Sequence, residues 1–228
     1  MTSDALVVRS VPYGESDVVV TLLTEREGKV AAIVRGARKG SKRVAGALEP
    51  MHTISAIYED KGTDLATLKE ARVVRARTGM LTRLEAIEAG GTLLRWARHL
   101  FPPKTPEPAG FATLIETLDA LDAGETDSNG ALAAAGLRLL GDVGWGMELS
   151  QCVKCGKACP EDAGAQLDPD RGGIVCRACG GARILLRAPV RRAALAALAR
   201  EPFPKEHARA LIEIVDAAMA AHAGFKDR

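Results

Sequence analysis

Aromatic side chains make up only 4% of this 228-residue chain, too few for a protein that binds by stacking successive bases on rings. Any core must be built mainly from Ala, Leu and Val, and a hydrophobic content of 47% is ample for one. An excess of one charge is also missing, because 31 Lys and Arg stand against 29 Asp and Glu, a net of +2. An anionic partner would therefore have to be met by a local patch rather than by the field of the whole molecule. No apolar run approaches the length of a bilayer span. Met1-Thr-Ser-Asp-Ala lacks the basic segment and apolar stretch of an export signal. A reducing cytoplasm without membrane contact is the expected setting. Catalytic signatures are scarce too. Gly-x-Ser-x-Gly, His-Glu-x-x-His and Cys/His pairings are absent. Gly36-x-x-x-Gly-Ser-Lys42 imitates a phosphate-binding loop, but its spacing is one residue short and Ser precedes Lys. The four histidines, His52, His99, His207 and His222, are read as structural or solvated. The chain reads as a binding protein, not an enzyme.

Cysteine is sparse but concentrated. Two Cys-x-x-Cys knuckles, Cys152/Cys155 and Cys176/Cys179, flank a loop of twenty residues, and Gly156 and Gly180 follow them. Glycine there permits the tight turn that aims two sulfurs at one point. Four thiolates converging from two such turns suit a tetrahedral structural zinc, a closed site with no position left for water or substrate. Disulfides would need an oxidising compartment, and a thioredoxin-like pair would need only one knuckle. An iron–sulfur cluster is a further option for four cysteines, less suited to matched knuckles. Cys159, followed by Pro160, is read as a bystander that could swap in as a ligand. The inter-knuckle loop offers only Ala163, Ala165, Leu167, Ile174 and Val175 for burial. Its order is therefore expected to come largely from metal–thiolate bonds.

The rest of the chain divides by hydrophobic period. From residue 4 to about 77, β-branched runs separated by turn signals predict five strands. They are Ala5–Val8, Val18–Leu23, Lys29–Val34, Met51–Tyr58 and Leu65–Val74. A meander with a long link after the third strand is the pattern of an OB-fold-like β-barrel. From residue 80 the period changes to about 3.6. Leu81, Leu84, Ile87, Gly91, Leu94, Ala97 and Phe101 mark the buried face of a first helix, ended by Pro102-Pro103. Gly90-Gly91 in its middle calls for a second helix packed closely against it. Further helices are expected from Phe111 to Gly124, Leu132 to Val143, Val190 to Ala199 and Glu206 to Ala221. The predicted fold is thus α+β and multi-domain. A five-stranded OB-fold-like barrel over 1–79 precedes a helical domain over 80–228, with a four-cysteine zinc module embedded at about 150–183.

The long link carries the second signal. Arg35-Gly-Ala-Arg38-Lys39-Gly-Ser-Lys42-Arg43 holds five basic residues in nine and no acid. A flexible basic loop at a barrel mouth suits contact with the phosphates of DNA or RNA. Arg75, with Arg9, Arg72 and Arg77, is a candidate extension of that face. With so few aromatics, contact should be mainly to backbone phosphates, on single and double strands alike. Arg183, Arg187, Arg191 and Arg192 crowd the exit of the cysteine module, either as a second anion patch or as solvated helix faces.

Three stretches resemble the bacterial RecO family of DNA-repair and recombination mediators. These are L-V-V-R-S-V-P-Y-G-E-S-D-V-V-V-T-L-L-T-E-R-E-G-K-V near the N-terminus, the R-G-A-R-K-G-S-K-R loop, and the C-V-K-C-G … C-R-A-C-G-G knuckles. The resemblance covers essentially the whole chain. It implies an OB-fold followed by a helical domain, binding of single- and double-stranded DNA, and annealing of complementary strands. It also implies work at the nucleoid with RecR and single-strand-binding protein, which indirectly helps RecA to load. Family members vary in the cysteines, so the zinc expectation rests on this sequence alone. A zinc-stabilised nuclease and a transcription-type zinc protein are the competing classes.

Overall fold

The computed structural model describes residues 1–38 and 46–223. Its chain forms two compact units, Met1–Ala123 and Gly124–Arg228. In the first, β1 (Thr2–Tyr13), β2 (Asp17–Thr24), β3 (Gly28–Val34), β4 (Thr53–Glu59) and β5 (Ala66–Arg75) close a barrel in the order β1-β2-β3-β5-β4. Neighbours pair antiparallel except β3 and β5, which run parallel. This is the five-stranded Greek-key arrangement of an OB-fold.

Period-two patterning builds its core. Ala5, Val7, Val20, Leu22, Val30, Ala32, Ile54, Ala56 and Leu68 point inward with Tyr58. Small residues suffice because the barrel is narrow. The ring of Tyr58 is buried while its hydroxyl donates to the Glu27 carboxylate, and burial pushes its pKa above the ordinary range. Turns obey local chemistry. At Gly28 the backbone is left-handed, and a Cβ there would sit 2.0 Å from the carbonyl oxygen of Thr105. No side chain fits that approach.

Among the described residues, this unit also holds the helices α1 (Leu84–Leu100) and α2 (Pro108–Ala123). The buried face of α1 is the expected one only toward its C-terminal end. Leu81 and Leu84 are 66% and 69% exposed, and Gly91 faces open space. Ala86, Ala89, Gly90, Leu93, Trp96 and Leu100 are buried there too, beside the expected Leu94, Ala97 and Phe101. Small residues let that side approach closely, a preference that weighting by large aliphatics overlooks. What meets Gly90 is a short 3-10 turn and a loop: a Cβ there would lie 2.7 Å from the side chain of Met80, in the 3-10 helix Gly79–Thr82, and 3.0 Å from that of Met51.

The second unit holds α3 (Ser128–Asp142), α4 (Ala188–Leu198) and α5 (Lys205–Ala223). Asp127 caps α3 by accepting the Gly130 N–H at 2.8 Å. Leu132, Leu137 and Leu140 of α3, Val190 and Ala194 of α4, and Leu211, Val215 and Met219 of α5 are all buried. Between α3 and α4 lies the cysteine module. Among the described residues no helix is long and apolar enough to cross a membrane.

Candidate metal centre and basic loop

Cys152, Cys155, Cys176 and Cys179 bring their sulfurs within 4.8 Å of one another. Each knuckle is a turn closed by its own backbone. The Gly156 N–H donates to the Cys152 carbonyl at 2.8 Å, and the Gly181 N–H donates to that of Cys176 at 3.1 Å. Gly156 and Gly180 adopt φ of +69° and +98°, a conformation that a side chain would strain. The Cys155 and Cys176 sulfurs stand 3.8 Å apart.

The thiols titrate far apart. A backbone N–H from Cys176, 3.3 Å from the Cys152 sulfur, leads the groups that hold that thiol down at about 6. Cys179 is pushed up to about 12, first through its hydrogen bonding with Cys155 and Cys176. One sulfur ionises easily, and the last resists because its neighbours crowd it. A divalent cation lowers that resistance by offsetting part of the charge that four thiolates would otherwise share. The donor set therefore fits a metal ion. Cys159 lies outside this group, and its carbonyl serves another role.

The inter-knuckle segment has more internal order than expected. β6 (Ala165–Asp168) pairs antiparallel with both β7 (Gly173–Ile174) and β8 (Ile184–Leu186), a sheet of order β7-β6-β8. Leu167, Ile174 and Val175 are 0%, 2% and 2% exposed. The turn from β6 to β7 is closed by an Asp168–Arg171 ion pair. Metal–thiolate bonds are thus not the only source of order here.

Arg191 is a second source, and the sequence reading missed its role. It is fully buried on α4, whereas Arg183, Arg187 and Arg192 are exposed. Its Nε donates to the Leu149 carbonyl at 2.7 Å. The guanidinium nitrogens donate to the carbonyls of Pro160 at 2.7 Å, Cys159 at 2.8 Å and Ala163 at 3.1 Å. One planar fork thus gathers the chain before and after the first knuckle. Arg191 is therefore no part of an anion patch. Its place beside Val190 and in phase with Ala194 on the apolar stripe is the signal that could have revealed it.

The basic loop opens from the end of β3. Arg35 and Arg38 are exposed. Asp17 fixes its start by accepting the Gly36 N–H at 2.8 Å, and the Arg38 N–H donates to the Ser16 carbonyl at 2.9 Å. Lys39, Lys42 and Arg43 lie outside the described residues. Arg75 is not brought to this place. Ala32 stands beside Ala66 in the parallel pair, so Arg35 follows by three residues and Arg75 by nine. The six-residue difference is about 20 Å of strand. Arg75 is engaged instead by Asp119 at 2.7 Å, and Arg72 stands 3.8 Å from Glu70. Arg77 is buried, with the same Asp119 carboxylate 2.7 Å from its Nε.

Comparison with known proteins agrees with this architecture. Residues 1–77 match the family model for the recombination protein O N terminal, and residues 81–228 match that for its C terminal. A DNA repair protein RecO of Anaeromyxobacter sp. (strain Fw109-5) is 39% identical over 196 residues, covering 86% of this chain and 76% of the relative. The DNA repair protein RecO of Myxococcus xanthus is 37% identical over 220 residues, 92% of this chain and 88% of that one. The counterpart in Geobacter sulfurreducens is 34% identical, over 78% of this chain and 72% of its own length. With both halves matched and the barrel, helices and cysteine cluster in place, the chain belongs to the RecO family.

Proposed function

We propose that this protein is a non-catalytic DNA-repair mediator that binds single- and double-stranded DNA and anneals complementary strands. The observation that carries this reading is the closed barrel whose β3–β4 link opens on exposed Arg35 and Arg38, in a segment with five bases and no acid. Lys39, Lys42 and Arg43 of the same link add charge beside them. Phosphate contact through such a loop is independent of sequence and tolerant of strand number. Arg75, already engaged by Asp119, contributes less than the loop. RecR and single-strand-binding protein are the partners expected beside the DNA, with RecA loading as the downstream result. The site of action is the cytoplasm, at the nucleoid.

Zinc is the metal that best suits the four cysteines. With Zn–S bonds of about 2.3 Å, the edge of a tetrahedron of sulfurs is about 3.8 Å. The Cys155–Cys176 separation is 3.8 Å. Cys152, Cys155, Cys176 and Cys179 would be its ligands, and four protein sulfurs leave no coordination position for chemistry. What a bound zinc supplies is structural.

Gel-shift and annealing assays on the purified chain test the reading. Complementary oligonucleotides should pair without ATP and without being cut in magnesium. Replacing Arg38, Lys39, Lys42 and Arg43 by Ala should flatten log affinity against log salt by up to about 3, at roughly 0.7 to 0.9 for each lost contact. Magnesium-dependent cleavage would turn the assignment toward a nuclease. An unchanged salt slope would move DNA contact off the loop.

A further inference from the structure

A second concentration of positive charge lies on the outer face of the barrel, apart from the loop. Val30, Ala32 and Val34 of β3 fill the core, so Lys29, Ala31 and Ile33 take the opposite face. Arg9, Thr21 and Ala31 stand side by side across β1, β2 and β3. The last turn of α1 closes over the end of this row. Lys29 Nζ donates to the Arg98 carbonyl at 2.6 Å, and the Lys104 N–H returns to the Lys29 carbonyl at 3.0 Å. The result is a cleft of about 580 Å³ lined by Thr21, Lys29, Thr63, Arg98 and Lys104, with Asp64 as its acid.

The charges in and around this cleft are poorly compensated. Lys104 stands 2.9 Å from the Asp60 carboxylate. Arg9, Lys29 and Arg98 form no ion pair among the described residues. Burial and then Arg98 lower the pKa of Lys29, while burial followed by Arg9 and Arg95 lowers that of Arg98. His99 is lowered first by burial and then by Arg98, Lys29 and Arg95. Cations held together at this cost to one another are relieved by an anion between them.

We propose that the cleft at Lys29, Arg98 and Arg9 is a second phosphate station for the DNA backbone. A strand gripped at the basic loop would run along the outer face of β3 to the end of α1. Arg35 follows the end of β3, six residues beyond Lys29, a span of about 20 Å along the strand. The inference rests on the DNA-binding reading above and names where the strand goes next. Thr21 and Thr63 supply neutral hydroxyls beside the cations. The cleft offers no aromatic ring, so it reads phosphate and not base.

The salt dependence of binding to a fluorescent oligothymidine decides the matter. Arg9→Ala and Arg98→Ala should each flatten the slope by roughly 0.7 and the double variant by about twice that. Arg98→Lys should restore most of the loss, because a phosphate contact needs charge. Melting temperatures guard against a folding effect. Should Arg98→Ala melt early, the exposed Arg9 still provides a clean test. Slopes unchanged in both variants, with Arg38→Ala still flattening its own, would overturn this station and leave the loop intact. A wild-type chain that binds no oligonucleotide would overturn both readings together. If Arg98→Ala instead abolished binding of an acidic peptide and left the oligonucleotide slope unchanged, the cleft would belong to an acidic protein segment and the proposal would fall.

Discussion

Two arginines keep their guanidinium groups inside the protein, and each ties together segments distant in sequence. Arg77 donates to the Met51 carbonyl at 2.6 Å and to Asp119 at 2.7 Å, joining the chain before β4 to α2. Arg191 does the same for the first knuckle through four carbonyls at 2.7 to 3.1 Å. Arg191→Ala would leave the buried Leu149 carbonyl and three half-buried ones without their donor. Losing it should cost about 1–3 kcal/mol of stability in the second unit, the range for buried acceptors left without a donor. Arg191→Lys should recover little, since one ammonium cannot span the same fork. Urea unfolding of both variants checks this, and a loss below about 0.5 kcal/mol would show that water satisfies those carbonyls without the fork. Neither arginine was legible as buried in the sequence, where Arg is overwhelmingly a surface residue. The histidines give a pH signature. Burial holds His52 and His99 below the ordinary value, so the unfolded chain protonates first as pH falls. Their effect is absent above the usual His pKa of about 6.5 and destabilises progressively below it. Stability of the first unit should therefore drop between neutral pH and pH 5, and His52→Gln should shrink the drop. A drop of unchanged size would locate the titration elsewhere.

Elements were legible where a period runs long enough to be counted. Each strand of the barrel is seven residues or longer, β4 alternates along its whole length, and the turn residues fix where pairing reverses. The order β1-β2-β3-β5-β4 follows once a long link after β3 forces β5 to close the gap. The module sheet was not legible, because strands of two to four residues carry no measurable period. Its cysteines were, since spacing in a knuckle is set by the turn and not by the surroundings. Cys152 and Cys159 separate the two contributions. Cys152 sits within the sulfur cluster, whereas Cys159 offers only its carbonyl to Arg191 at 2.8 Å. Cys152→Ser should lose the metal and destabilise or aggregate the chain. Cys159→Ser should keep one zinc per chain. Elemental analysis with melting curves tests both, and zinc lost from the Cys159 variant would overturn the ligand set.

At the scale of the molecule, the question is which pieces fold alone and which need the metal. The compact unit runs through Ala123, beyond the barrel and the family boundary between 77 and 81. Side chains argue that the barrel by itself should be a poor fragment. Arg77 is 1% exposed and depends on Asp119 of α2 for its counter-charge. Arg83 donates to the carbonyl of Asp122 at 2.8 Å, and the Met80 N–H reaches the Asp122 carboxylate at 3.2 Å. A chain cut at residue 79 leaves the Arg77 charge without Asp119 and removes the helix that covers part of the outer face. Residues 1–123 should therefore unfold in one cooperative step, indifferent to chelator, with an intact barrel. A 1–79 fragment should be much less stable, although nothing in it needs metal. Residues 124–228 should behave differently. Their short sheet and the Arg191 fork supply part of the order around the knuckles, and bound zinc can contribute on the order of 10 kcal/mol to such a module. A chelator should lower the melting temperature of this fragment, and acid should do the same as protons displace the metal from its sulfurs. Circular dichroism of the three fragments, with and without chelator, provides the check. A 1–79 fragment as stable as 1–123 would show that Asp119 and α2 are dispensable to the barrel. A 124–228 fragment whose melting ignores the chelator would show that the sheet and Arg191 hold the module without metal.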